Sequence, residues 1–190
     1  MPEAAELALV SVATAYRYFR TAEELWDEAA LYDSSTIFDS AGLEAAVDAV
    51  GDDVEARVEV VIRQMAWKLV DHEVLCRQVM KGSLDRWFAN QGLPEDERPV
   101  RPGTRNQWNA LALRPLRNTL EDHQVDSLIE ALGFVVGVEA VITMLDVLHL
   151  SPEAAKERQL TTALWILRGG LATMTPAGTH KRKPKRVARG

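Results

Sequence analysis

A single cysteine, Cys76, stands in the 190 residues, so no internal disulfide can form. No basic segment followed by an apolar run opens the chain as a secretory signal would, and both absences point to a reducing cytoplasm. No stretch alternates apolar and polar residues at period two, whereas apolar residues recur at spacings of three and four throughout. The expected fold class is therefore all-α. Residues 131–150 have the length of a membrane span but carry Glu139, Asp146 and His149. A charge near the centre of a span costs roughly 2.5 to 3.5 kcal/mol, so a buried helix is expected there and no membrane partner. Nucleophile–base sets, glycine-rich phosphate loops and paired catalytic carboxylates are missing as well, so neither an enzyme nor a cofactor is expected.

The net charge of −6 conceals an asymmetry. Lys181, Arg182, Lys183, Lys185, Arg186 and Arg189 lie in the last ten residues without an acid among them, leaving a strongly acidic body. Such a body disfavours broad electrostatic contact with nucleic acid, so any such contact must be local. One local patch exists: Arg17 and Arg20 lie in residues 7–22, which contain no acid.

The chain opens with a short helix over residues 2–10, a second capped by Ser11 and running to Phe19, and a third that Thr21 and Glu24 start as a capping box. From Asp53, the positions Val54, Val58, Val61, Ile62, Met65 and Leu69 mark one face of a long helix that bends or breaks near His72. The next helix ends where Gln91, Gly92 and Pro94 begin a proline- and charge-rich linker running to Gly103. A helix over residues 104–123 should kink at Pro115, where an amide donor is missing. Residues 125–149 are apolar on nearly every side, which in a chain of this size calls for burial against a second subunit. Ser151 and Pro152 open a last helix to about Met174. Three regions follow: a head over 1–35, a larger helical unit over 36–175, and a disordered basic tail over 176–190.

The residues Val10-Ser11-Val12-Ala13-Thr14-Ala15-Tyr16-Arg17-Tyr18-Phe19, followed by Arg20-Thr21-Ala22-Glu23-Glu24-Leu25, combine a capping serine, small residues on the first turn and aromatics on the second. A helix that enters the major groove by its N-terminal end needs small residues there for close approach and hydroxyls that reach bases or phosphates. Ser11, Val12, Ala13, Thr14, Tyr16 and Arg17 are the candidate DNA-reading residues, with Tyr18 and Arg20 suited to phosphates. Phe19 is expected to pack with Leu7 and Leu25. The plainer alternative is that Tyr16, Tyr18 and Phe19 simply pack a short amphipathic helix.

This segment resembles the recognition helix, and the start of the following helix, of the TetR family of transcriptional regulators. Arg114-Pro115-Leu116-Arg117, Gly137-Val138-Glu139-Ala140 and the segment from Asp146 to Ala155 resemble that family's effector domain more weakly. The resemblance implies an all-helical homodimer whose last two long helices, here 125–149 and 151–174, form a four-helix interface. It also implies operator DNA and a small-molecule effector as partners. The chain departs from the family in two places: it starts inside the second of the three head helices, and Ala22 stands where the family usually has lysine. DNA binding is therefore expected to be weak. The competing reading is a dimeric helical ligand-binding protein that has lost specific DNA binding.

Within the larger unit, Met65, Trp67, Met80, Trp87, Trp108, Phe134 and Met144 are soft or flat side chains suited to an adaptable apolar pocket, although most would also serve as core. Glu139, inside the apolar stretch, needs a partner. Arg114 is expected to supply it because Pro115 fixes the backbone beside it, with Arg117 the other candidate. Gly133 and Gly137 would permit close helix approach at the interface. His72 and Cys76, four apart, could chelate a soft metal only with further ligands that the sequence does not supply, so no metal is expected.

Overall fold

The computed structural model describes residues 1–22, 24–26, 28–29, 40–98 and 103–174. Among them there is no strand, and the fold is all-α. The helices are α1 (Pro2–Leu7), α2 (Val12–Tyr18), α3 (Ser40–Ala49), α4 (Val54–Asp71), α5 (Glu73–Ala89), α6 (Thr104–Leu113), α7 (Asp122–Val135), α8 (Val138–Ile142) and α9 (Pro152–Thr173). Residues 22, 24–26, 28 and 29 are also helical. The anticipated tail over 176–190 and the boundary near residue 35 lie outside the described residues.

Helices α4 and α9 form the spine. Asp53 and Ser151 start them, each accepting a hydrogen bond from the backbone N–H three residues on, as N-caps should. They run antiparallel and are pinned at both ends: Arg168 donates two hydrogen bonds to the Glu55 carboxylate, and Lys156 reaches Asp71 at 2.7 Å. Between these pins Val58, Val61, Ile62 and Met65 of α4 meet Leu160, Ala163 and Leu167 of α9 in one core. Leu43 and Val47 of α3, Trp108 and Leu113 of α6, and Leu128 and Leu132 of α7 complete it. Burial of each such aliphatic chain contributes roughly 1.5 to 3 kcal/mol, so this unit carries most of the hydrophobic stabilisation.

The most deeply buried charge among the described residues sits beside that core. Arg57 lies on the same face as Val54 and Val61 and is only 2% exposed. Its guanidinium donates to the carbonyls of Val47 and Gly51 at the end of α3 and of Leu111 and Ala112 at the end of α6, and to the Asp48 carboxylate. Helix C-termini leave carbonyls without internal partners and concentrate partial negative charge, so one planar cation closes two helix ends.

Two expectations about helix ends change. Pro115 does not kink a longer helix; α6 stops at Leu113, and Arg114–Asn118 form a 3₁₀ turn before Glu121 and Gln124 cap α7 reciprocally. The apolar stretch over 125–149 is not one helix either, because it breaks at Val136 and Gly137 and finishes as π-helix over Thr143–Val147. Its two halves are bent by 41°, and no single helix among the described residues is long and apolar enough to cross a membrane. Within one chain the stretch leaves apolar residues uncovered: Phe134 is 84% exposed, and Val147 and Leu148 are exposed too, as is Trp165 on α9.

The break at Gly137 lies beside α6. That helix runs antiparallel to α7, with Arg105 donating to the Gly133 carbonyl and Asn109 to the Ile129 carbonyl. A Cβ on Gly133 would meet the Asn106 side chain, and one on Gly137 would collide with the Arg105 guanidinium. Within the chain these two glycines make room for α6.

Candidate functional site

The head is built by backbone hydrogen bonds more than by burial. Helix α1 ends in a Schellman motif: Leu9 donates to the Glu6 carbonyl and Val10 to the Ala5 carbonyl, both near 3.0 Å. Leu9 takes the left-handed conformation, φ 55°, that this motif usually assigns to glycine, and this is why α1 stops at Leu7 instead of reaching Val10. The resulting tight turn delivers the chain to Ser11, whose Oγ accepts the Thr14 amide at 3.0 Å and starts α2. Thr21 Oγ1 accepts the Glu24 amide and Glu24 accepts the Arg20 amide, which closes the junction after α2.

On α2 the anticipated residues divide. Val12 with Tyr16, and Ala13 with Arg17, stack one turn apart as two adjacent exposed rows, while Ser11, Tyr18 and Arg20 are exposed at its flank and ends. This surface is small, hydroxylated and cationic, and bears no acid. Thr14 departs from the expectation, being half-buried with its hydroxyl 2.8 Å from Ser11 Oγ, inside the cap. The anticipated apolar centre is thin: Phe19 and Leu25 are half-buried, but Leu7 is 86% exposed, and in α1 and α2 only Ala5 is fully buried. Leu9 is exposed because its αL conformation carries it out of the helix line.

The seven residues proposed for an apolar pocket are not gathered around one cavity. Met65 and Trp108 belong to the main core, and Met144 to a smaller one with Val70, Val141 and Ala155. Trp67 is half-buried beneath the Arg63 guanidinium, 4.7 Å from the ring centre, and Met80 is half-buried on α5. Trp87 packs edge-on against Phe88 on the exposed side of α5. Phe134 borders an opening, a cavity of about 420 Å³ that Arg105, Asn106, Glu130 and Glu139 share. Periodicity identified apolar faces but not which of them face empty space.

Glu139 is paired, but not with Arg114. Arg105 reaches it at 3.0 Å, whereas Arg114 lies 2.7 Å from Asp48, and Arg117 binds Asp122 and Asp126. The antiparallel register explains the exchange, since it places the first turn of α6 beside the α7–α8 joint and its last turn at the far end. Cys76 is fully buried, its Sγ donating to the Leu69 carbonyl, and burial pushes its thiol up to about 12. His72 is exposed, so the pair presents no shared ligand face.

The larger opening, about 620 Å³, lies where the helical residues of the head meet the break between α4 and α5. Trp26 and Ala29 form one wall; Val70, His72, Val74 and the first residue of α9, Pro152, contribute to the others. Sequence reasoning missed this cleft. Its one visible signal was a tryptophan on a head helix beside an interruption at His72.

The fold thus defines an all-α protein with a capped, exposed cationic helix at one end and a cleft between that end and the core. No protein-family model, curated protein or solved structure matches the chain.

Proposed function

We propose that the chain is a TetR-like, ligand-responsive transcriptional regulator that binds operator DNA as a homodimer. The observation that carries this reading is the α1–turn–α2 unit, in which a serine-capped helix presents Val12, Ala13, Tyr16 and Arg17 outward from a tight turn. Small residues at the N-terminal end suit entry into the major groove, and Arg17, Tyr18 and Arg20 suit bases and phosphates at its edge. The dimer would use the exposed apolar residues of the last helices, Phe134, Val147, Leu148 and Trp165, whose burial against a second copy removes them from water. Effector binding can shift the head only if the ligand prefers one head arrangement.

Selection of bound sequences from a random duplex library tests this. The reading expects a two-fold symmetric site with half-site centres roughly 34 to 36 Å apart along the duplex. The second reading, a dimeric ligand-binding protein without specific DNA recognition, is favoured by the exposure of Leu7 and Leu9, which leaves the head little apolar packing. A dimer in sedimentation that enriches no sequence would select it.

A further inference from the structure

The cleft between the head and the α4–α5 break has a chemistry of its own. Val70, Val74, Leu75 and Pro152 give it apolar lining, and the exposed Trp26 lines it from the head. Its volume, about 620 Å³, falls in the range of roughly 300 to 1,000 Å³ typical of small-molecule sites. Among the described residues its polar lining consists of the carboxylates Asp71 and Glu73 with His72 and Gln78, and includes no lysine or arginine.

The surrounding ion pairs accentuate that sign. Lys156 is shared between Asp71 at 2.7 Å and Glu153 at 3.3 Å, and Arg77 between Glu73 at 2.6 Å and Asp146. Each cation serves two carboxylates, so this network keeps an excess of negative charge beside the cleft. Helix ends could oppose this, because the N-termini of α5 and α9 open here and favour anions. Each already holds its own carboxylate in the first turn, Glu73 and Glu153, and the C-terminal end of α4 at Asp71 favours a cation.

We propose that this cleft binds an amphipathic organic cation, whose charged nitrogen sits against Trp26 and the Asp71–Glu73 edge while its apolar body lies on Val70, Val74 and Pro152. An indole face attracts a cation through its quadrupole, and a weakly hydrated organic ammonium is desolvated at less cost than a metal ion. Because Trp26 and Ala29 belong to the head and the other lining residues to the core, a bound ligand favours head arrangements that keep these residues at the cleft. That consequence rests on the regulator reading; the binding site itself does not.

Isothermal titration of the full chain with benzyltrimethylammonium, benzyl alcohol and phenylacetate tests the site by charge at nearly constant shape. The cation should bind at least about tenfold more tightly than either other probe. Trp26→Ala should weaken it about tenfold and Trp26→Phe by less, while Val50→Ala, exposed beside the opposite end of α4, leaves it unchanged. Glu73→Gln, which leaves Arg77 its second partner Asp146, should weaken it about threefold. Equal binding of the three probes, no binding of the cation at millimolar concentration, or full affinity in both Trp26 variants would overturn the proposal. DNA affinity with and without the cation is a separate readout: cation binding that leaves DNA binding unaltered retains the site and removes its regulatory role.

Discussion

The two ends of this molecule are held together by different physics. The body closes around α4 and α9 with a continuous aliphatic core, ion pairs at both ends of the helix pair, and a buried arginine that completes two helix termini. In the head, α1 and α2 bury only Ala5 completely and are defined by a Schellman turn, the Ser11 cap and the Thr21–Glu24 pair. Burial is cooperative and resists perturbation, whereas caps contribute about 1 kcal/mol apiece. Elements held mainly by caps belong to the low-stability end of a structure, so the head should open at lower cost than the body.

The comparison breaks most visibly at Arg57. Arg57→Met keeps the aliphatic volume but strands the carbonyls of Val47, Gly51, Leu111 and Ala112 and leaves Asp48 to Arg114 alone. Urea denaturation should show a loss of roughly 3 to 5 kcal/mol. A loss below 1 kcal/mol would mean that water replaces the guanidinium and that the core is looser than described.

Alkaline pH should also act on the body. Because burial raises the Cys76 thiol from 9.0 to about 12, its contribution is fully present below pH 9.0 and is lost as the pH climbs through about 12, where the unfolded thiol ionises first. A Cys76→Ala variant should lose less stability over that interval than the parent, measured by denaturant midpoints at several pH values. Identical profiles would place the alkaline sensitivity elsewhere.

Smaller effects belong to the head. Ser11→Ala removes the acceptor of the Thr14 amide and should cost about 1 kcal/mol, seen as faster amide exchange across residues 12–18 with the midpoint of the body unchanged. Leu9→Gly should act in the opposite direction, relieving a left-handed leucine at a gain of up to about 1 kcal/mol in protection of α1 and α2. If either substitution shifts the body's midpoint by the same amount, head and body unfold as one unit.

Much of this was legible in the sequence, and what was not shares a cause. Helix starts at Ser11, Asp53 and Ser151 and the interruption near His72 could be read because caps and breaks are local, settled by residues within a few positions of each other. The surroundings of Gly137 could not, because the side chain beside it is that of Arg105, 32 positions earlier, and the pairing of Arg114 with Asp48 spans 66 positions. Arg57 left a trace, a charge on an apolar face, without naming its partners. For the site, the exposed face of α2 was readable from residue order. The cleft was not, since its walls come from the head, the α4–α5 break and the start of α9.

The central claim, that α2 reads DNA, is tested most directly by fluorescence anisotropy of a labelled duplex carrying the selected sequence, titrated with the parent chain and with Tyr16→Ala and Arg17→Ala across a series of salt concentrations. Tyr16→Ala should reduce the preference for that duplex over a scrambled one without changing the oligomeric state. Arg17→Ala should weaken binding and, where Arg17 contacts phosphate, lower the salt slope by about one. Parent and variants binding both duplexes with the same affinity and the same salt slope would contradict the account.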